Sequence, residues 1–204
     1  MVRRRPAELK KTSKLWLFCE GKTEKRYFEN LRVTEHLRLK IVPKEAGVSR
    51  ADQILDKAVR FLNGEFKVNG DSFDRARDMV ACVFDKDDNN TPEVFEAVRS
   101  RCGDVKIIYS NPSFEYWILC HEGYYNSPAY NQAQVYDLVK EKLDIDTKKE
   151  TELYVKIKNN LETAKTNAKR IQKVHEDAGT ELISRDSTPL SLTYRLIELI
   201  DEFR

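Results

Sequence analysis

Leu15-Trp16-Leu17-Phe18-Cys19-Glu20-Gly21 and Met79-Val80-Ala81-Cys82-Val83-Phe84-Asp85-Lys86-Asp87-Asp88 are two continuous apolar runs, each ending in acid. A strand with one wet face alternates apolar and polar residues, whereas a strand covered on both faces does not. Both runs, the first from Lys14 to Cys19 and the second from Met79 to Phe84, are therefore predicted to be interior strands. Leu37 to Val42, stopped by Pro43, and Val105 to Tyr109 predict two more.

Helical spacing fills the gaps between them. Tyr27, Phe28 and Leu31 share one face; Ile54, Leu55, Ala58 and Leu62 share another, between a Ser49 cap and Gly64; Val94, Phe95 and Val98 follow Thr91-Pro92. Residues 65–78 are polar and read as a surface loop. Strands alternating with helices predict an α/β fold with a Rossmann-like parallel sheet of about four strands, built from right-handed βαβ units with helices on both faces. Ser110-Asn111-Pro112 then opens an apolar helix from Ser113 to about His121. Beyond Gly123 the pattern is helical only: Gln132 to Leu143, Glu152 to Ala178, and a last helix capped by Thr188-Pro189 with Leu196, Ile197, Ile200 and Phe203. The expected organisation is a basic arm over residues 1–13, the α/β core over 14–122, and a helical region over 123–204 packed on that core.

Composition narrows the function classes. The 204 residues suit one α/β core with a helical appendage, and 40% apolar residues supply its interior. No run approaches the roughly 20 apolar residues of a bilayer crossing, and the apolar stretch after Arg3-Arg4-Arg5 is too short for a signal peptide. A cytoplasmic protein without membrane contact is expected. Cys19, Cys82, Cys102 and Cys120 are far apart and three histidines accompany them, so zinc is disfavoured and the thiols read as small core residues. Residues 1–40 hold twelve Lys or Arg against five Glu, a surplus of +7 that the remaining chain, at −5, offsets to the overall +2. Such a localised basic start suits nucleic-acid phosphates.

In an open parallel sheet, ligands bind outside the carboxyl ends of the strands. Glu20 follows the first predicted strand, Asp85 and Asp87 follow the third, and Glu115 stands one turn into the helix after the fourth. Carboxylates gathered there repel one another, and a divalent cation relieves the repulsion. With oxygen donors only, Mg²⁺ fits better than zinc, and Mn²⁺ is the natural substitute. Asp85 and Asp87 are the expected primary ligands, Asp88 and Glu115 auxiliary ones, and Glu20 the general acid or base or a ligand of a second ion. Lys22, Lys25, Arg26 and Lys86, beside these acids, are the expected nucleic-acid contacts.

Competing motifs fail on spacing. Gly21-Lys22-Thr23 lacks the first glycine of a phosphate-binding loop, whose place is taken by Trp16. Asp85 to Glu96 imitates a calcium-binding loop but has Asn90 at the glycine position and Pro92 inside. A phosphatase with an aspartyl nucleophile stays open, although it leaves Glu20 without a task.

Taken as longer strings, Phe18-Cys19-Glu20-Gly21-Lys22-Thr23-Glu24 with Tyr27-Phe28, Phe84-Asp85-Lys86-Asp87-Asp88, and Ser110-Asn111-Pro112-Ser113-Phe114-Glu115-Tyr116-Trp117 are similar to the RloB/AbiL-like family of bacterial proteins. Glu20-Gly21 with Asp85-x-Asp87 also resembles the Toprim signature of topoisomerases, primases and overcoming-lysogenization nucleases. The likeness implies Glu20 as general acid/base and Asp85 and Asp87 as Mg²⁺ holders, and it implies a nuclease of phage defence or restriction-linked immunity beside an ABC-type ATPase. A non-catalytic module that binds metal or nucleotide and regulates that ATPase is the alternative. The chain has no room for topoisomerase gate domains and no primase zinc module, which leaves hydrolysis by water.

Three further features have structural explanations. Phe114, Trp117 and Ile118 at helical spacing predict core. His121 at the end of the same helix predicts a partner for the helix dipole. Lys156, Lys158, Lys165, Lys169, Arg170 and Lys173 predict a solvated face paired with Glu152 and Glu162.

Overall fold

The computed structural model describes residues 13–42 and 50–201. The basic stretch Arg3 to Lys11, Pro43 and the proposed Ser49 cap lie outside them, as does Phe203. Five strands form one sheet in the order β2-β1-β3-β4-β5: β1 (Leu15–Cys19), β2 (Leu39–Val42), β3 (Met79–Asp85), β4 (Lys106–Asn111) and β5 (Leu190–Ser191). The first four are parallel, and β5 is antiparallel to β4. The predicted Rossmann-like sheet is thus present, with one strand more than the sequence reading assigned.

β1 is buried along its whole length, and β3 is buried from Val80 to Phe84, which explains the absence of alternation in both runs. Chain order reverses on either side of β1. Right-handed crossovers then place α1 (Lys22–Thr34) on one face and α2 (Ala51–Leu62) and α3 (Pro92–Arg101) on the other. Trp16 and Phe18 point to the second face and meet Phe61 of α2, at ring-centroid distances of 4.7 and 5.9 Å. Tyr27, Phe28 and Leu31 of α1 are buried on the first, where Tyr27 and Phe28 meet Phe114 at 5.4 and 5.9 Å.

The region after β4 departs further from expectation. The helix predicted from Ser113 to His121 is α4, only Glu115–Leu119, continued by turns. Phe114, Trp117 and Ile118 are fully buried, as their spacing requires. α5 (Gln132–Leu143) matches its predicted span. The single helix expected over 152–178 is broken into α6 (Leu153–Ile157), a 3-10 turn over 158–160 and α7 (Leu161–Asp177). Lys158-Asn159-Asn160 is the weak point, because asparagine side chains compete with the helical backbone and carry low helix propensity.

Thr188-Pro189 does not cap the last helix. The Thr188 hydroxyl donates to Asn111 Oδ1 at 2.7 Å, and the pair leads into β5, whose approach is tied by His175 Nε2 donating to the Pro189 carbonyl at 2.8 Å. α8 (Thr193–Asp201) starts one strand later, with the Thr193 amide donating to Ser191 Oγ at 3.3 Å. Cys19, Cys82 and Cys120 are buried free thiols and Cys102 is half-buried. Among the described residues, no helix is long and apolar enough to cross a membrane.

Candidate functional site

The carboxyl ends of β1 and β3 are neighbours at the point where strand order reverses, the usual place for a ligand crevice in such sheets. The cleft there, about 290 Å³, is lined by Glu20, Gly21, Thr23, Glu24, Asp85, Asp87, Glu115 and Gln132, with Lys22 and Lys86 at its sides. Glu20, Asp85, Asp87 and Glu115, predicted from distant parts of the chain, therefore share one surface.

β1 and β3 set the geometry of the first two. The Glu20 amide donates to the Val83 carbonyl at 2.9 Å, continuing the strand pairing by one residue. The Asp85 amide returns the link by donating to Glu20 Oε2 at 3.2 Å. Asp85 Oδ1 is sealed from solvent and has no hydrogen-bond partner. Burial, followed by the charges of Glu24 and Glu115 and, more weakly, Glu20, holds the Asp85 carboxyl well above the usual carboxylate range; the Phe114 amide works the other way.

Glu115 is buried at the start of α4, where its Oε1 accepts from Thr147 Oγ1 at 3.0 Å and from Thr23 Oγ1 at 3.4 Å. Asp87 lines the cleft, and its Oδ1 accepts from the Asn89 amide at 3.4 Å. Asp88 is not brought in. Its side chain is fully exposed outside the cleft wall, 3.7 Å from the Arg185 guanidinium, so the auxiliary ligand role expected for it has no geometric support.

Glu24 is the acid that the sequence reading passed over as a site residue. It sits in the first turn of α1, 2% exposed, and its carboxyl is pushed up to about 7, mainly by burial and then by Glu115 and Glu20. An available signal was Gly21, three residues earlier. A β-carbon there would stand 2.1 Å from Glu24 Oε2 and 2.7 Å from its Cδ, so the glycine makes room for the carboxylate.

The expected nucleic-acid cations divide. Lys22 and Lys86 line the cleft, and Lys86 Nζ donates to Thr188 Oγ1 at 3.4 Å, with its pKa lowered by burial and by Arg185. Lys25 lies 3.7 Å from Glu29 one helical turn on and is not part of the cleft wall. Arg26 serves structure instead. It donates to the carbonyls of Thr147 at 2.6 Å, Lys148 at 3.0 Å and Lys22 at 3.3 Å, fastening the loop that supplies Thr147 to Glu115.

The tail cations are mostly paired, as a solvated face requires. Lys165 reaches Glu162 at 2.9 Å, Lys173 reaches Asp177 at 3.0 Å, and Lys169 pairs with Glu198; Lys156 pairs with Glu150 in place of the expected Glu152. Arg170 stacks over the Tyr124 ring at 4.0 Å. His121 is buried, donates through Nδ1 to the Trp117 carbonyl at 3.0 Å, and is driven by burial down to about 4. The ring thus partners the C-terminal end of α4 as expected, through a hydrogen bond to a last-turn carbonyl, as a neutral donor and not as a cation.

The donor set suits a hard cation: every candidate ligand is a carboxylate oxygen, and one of them is sealed without a partner. Among the described residues, no three His, Cys, Asp or Glu side chains converge tightly enough to hold an ion in this arrangement. The acids share a cleft wall without being gathered on one point.

Ser110-Asn111-Pro112, the end of β4 and the residue after it, ties the C-terminal region to this edge. Asn111 Nδ2 donates to the carbonyls of Ser184 and Arg185 at 3.3 Å each, while its Oδ1 accepts from Thr188. Asn167 Nδ2 donates to the Cys120 carbonyl at 2.9 Å, just after α4. Neither a curated protein nor a solved structure shows a significant match to the chain. The family profile described as RloB-like protein matches residues 15–200, from the first strand to the last helix. With nearly the whole chain covered, the protein belongs to the RloB-like protein family.

Proposed function

We propose that the cleft binds Mg²⁺, with Mn²⁺ able to replace it, and that the chain hydrolyses phosphodiester bonds of DNA or RNA. We place this nuclease in a bacterial phage-defence or restriction-linked system, working with an ABC-type ATPase, in the cytoplasm. The observation that carries the reading is the sealed, unpartnered Oδ1 of Asp85 among Glu20, Glu24 and Glu115. Such a group either keeps a proton or receives a cation.

When bound, Mg²⁺ supplies counter-charge to these acids and polarises a phosphoryl oxygen. Asp85 and Asp87 would hold it, with Glu115 fixed by Thr147 as a further oxygen donor. Glu20 is the group assigned to move the proton, held in place by the Asp85 amide. Glu24, pushed up to about 7, can exchange a proton near neutral pH and shares that assignment. Lys22 and Lys86 flank the opening and suit a phosphate without reading sequence.

The test is incubation of the protein with plasmid, single-stranded DNA and tRNA under Mg²⁺ or Mn²⁺, alone and with the neighbouring ATPase. Cleavage is expected in at least one arm and is expected to be lost in Glu20→Gln and Asp85→Asn. Undiminished cutting by both variants assigns the activity elsewhere. A second reading, a regulatory module without catalysis, rests on the absence of a converged ligand cluster among the described residues. Metal binding without cleavage in any arm, together with an altered ATPase rate of the partner, selects it.

A further inference from the structure

We infer that Arg185 is a positioning residue of the acidic cleft, deciding that Asp87 faces it and Asp88 does not. The inference rests on the cation-binding reading of that cleft. Asp85, the last residue of β3, opens a loop that runs to Asn90 and carries three carboxylates, at positions 85, 87 and 88. Two side chains close it. Asn90 Nδ2 donates to the Asp85 carbonyl at 2.9 Å, joining the loop's ends, and Asn90 Oδ1 accepts from the Ala51 amide at 2.8 Å, pinning it to α2.

Arg185 grips the loop from the other side. Its Nη1 donates to the Asn90 carbonyl at 2.9 Å and the Asp87 carbonyl at 3.3 Å, and its Nη2 lies 3.7 Å from Asp88 Oδ1. The guanidinium therefore holds backbone at Asp87 while drawing the Asp88 carboxylate outward. An arginine bonded directly to the Asp87 carboxylate would neutralise the charge a cation needs. Bonded to its carbonyl, the arginine fixes the turn and leaves the charge available.

The anchor is itself built in. The Ser184 and Arg185 carbonyls accept from Asn111 Nδ2, and the Ser184 carbonyl also accepts from Tyr109 Oη at 2.7 Å. Both donors lie on β4, the strand paired with β3. The loop and its arginine clamp thus hang from adjacent strands.

The test compares wild type, Arg185→Ala, Arg185→Lys and Asp88→Asn in the full chain. Two readouts are needed: amide hydrogen exchange over residues 86–90 without metal, and Mn²⁺ binding by electron paramagnetic resonance. In Arg185→Ala, exchange in the loop is expected to rise and Mn²⁺ affinity to fall about tenfold, the lower end of what supporting residues contribute around metal sites. Arg185→Lys restores charge without the fork and is expected to recover only part of the loss. Asp88→Asn is expected to bind Mn²⁺ as wild type does. Unchanged loop exchange in Arg185→Ala overturns the clamp. Raised exchange with unchanged Mn²⁺ affinity overturns its role in the site. Absence of Mn²⁺ binding by wild type, with the exchange result intact, overturns the cation reading beneath both.

Discussion

The Asp85 amide donates to the Glu20 carboxylate across 3.2 Å, joining residues 65 positions apart at the ends of two paired strands. That bond places an acid from each motif in one cleft and gives Glu20 a fixed orientation. Glu20→Gln keeps an acceptor for the amide and removes only charge, so it is expected to leave thermal stability nearly unchanged. Glu20→Ala removes the acceptor and is expected to cost roughly 1–3 kcal/mol. Urea unfolding of the two variants measures the difference, and equal losses would contradict a role for the bond.

Gly21→Ala tests the close approach of Glu24. The Gly21 backbone is extended, with φ −102° and ψ 168°, so alanine meets no backbone penalty. The atoms in its way belong to the far end of the Glu24 side chain and not to backbone. The expected result is a stability change within about 1 kcal/mol and a clear loss of divalent-metal affinity. Wild-type affinity in the variant would show that the Glu24 position does not matter to the cleft.

Two buried groups give stability a pH dependence of opposite sign. Glu24 has a folded pKa raised to about 7 from 4.5, chiefly by burial, so between these values the folded state binds more protons than the unfolded one. Metal-free stability should therefore fall as pH rises through that window, by an amount on the order of 3 kcal/mol if Glu24 acted alone. Glu24→Gln is expected to reduce this slope, leaving the part that the raised Asp85 carboxyl contributes, and Mg²⁺ is expected to stabilise more at pH 8 than at pH 5.5.

His121 acts the other way. Its folded pKa is depressed to about 4 from 6.5 by burial, so the unfolded state binds more protons between those values. Its share of stability is present above pH 6.5 and is lost on acidification toward pH 4. In urea titrations at pH 7 and pH 5, His121→Leu should lose less on acidification than wild type does. An identical pH response would remove His121 from the account.

Asn111 is fully buried and joins β4 to the segment before β5 through both ends of its amide. Asn111→Ala leaves the Ser184 and Arg185 carbonyls and the Thr188 hydroxyl to find new partners. A loss of roughly 2–4 kcal/mol is expected by urea unfolding, with increased proteolysis between α7 and α8. A loss below about 0.5 kcal/mol would mean that the segment holds itself.

The two central strands were legible because burial on both faces writes continuous apolar runs, and Leu15 to Cys19 and Met79 to Phe84 are such runs; β2 and β4, partly exposed, were legible from their shorter apolar stretches. β5 was not legible. Leu190-Ser191 is too short to show a period, and its pairing depends on Ser110 and Asn111, some eighty residues away. The gathering of Glu20, Asp85, Asp87 and Glu115 followed from their places at strand ends. The fate of neighbouring residues did not, because adjacent acids and adjacent cations look alike until their partners are known. Asp88 is drawn out by Arg185, and Arg26 is spent on the Thr147 loop. Glu24, in the first turn of α1, did not stand out from the other acids of the chain, although Gly21 marked the space it occupies.

Calorimetric titration of Mg²⁺ into the metal-free protein at pH 7.5, repeated on Asp85→Asn, bears most directly on the cleft. Saturable binding by wild type that vanishes in a still-folded Asp85→Asn is the result predicted from the sealed carboxylate oxygen. Equal binding by both proteins, or none by either, would contradict it.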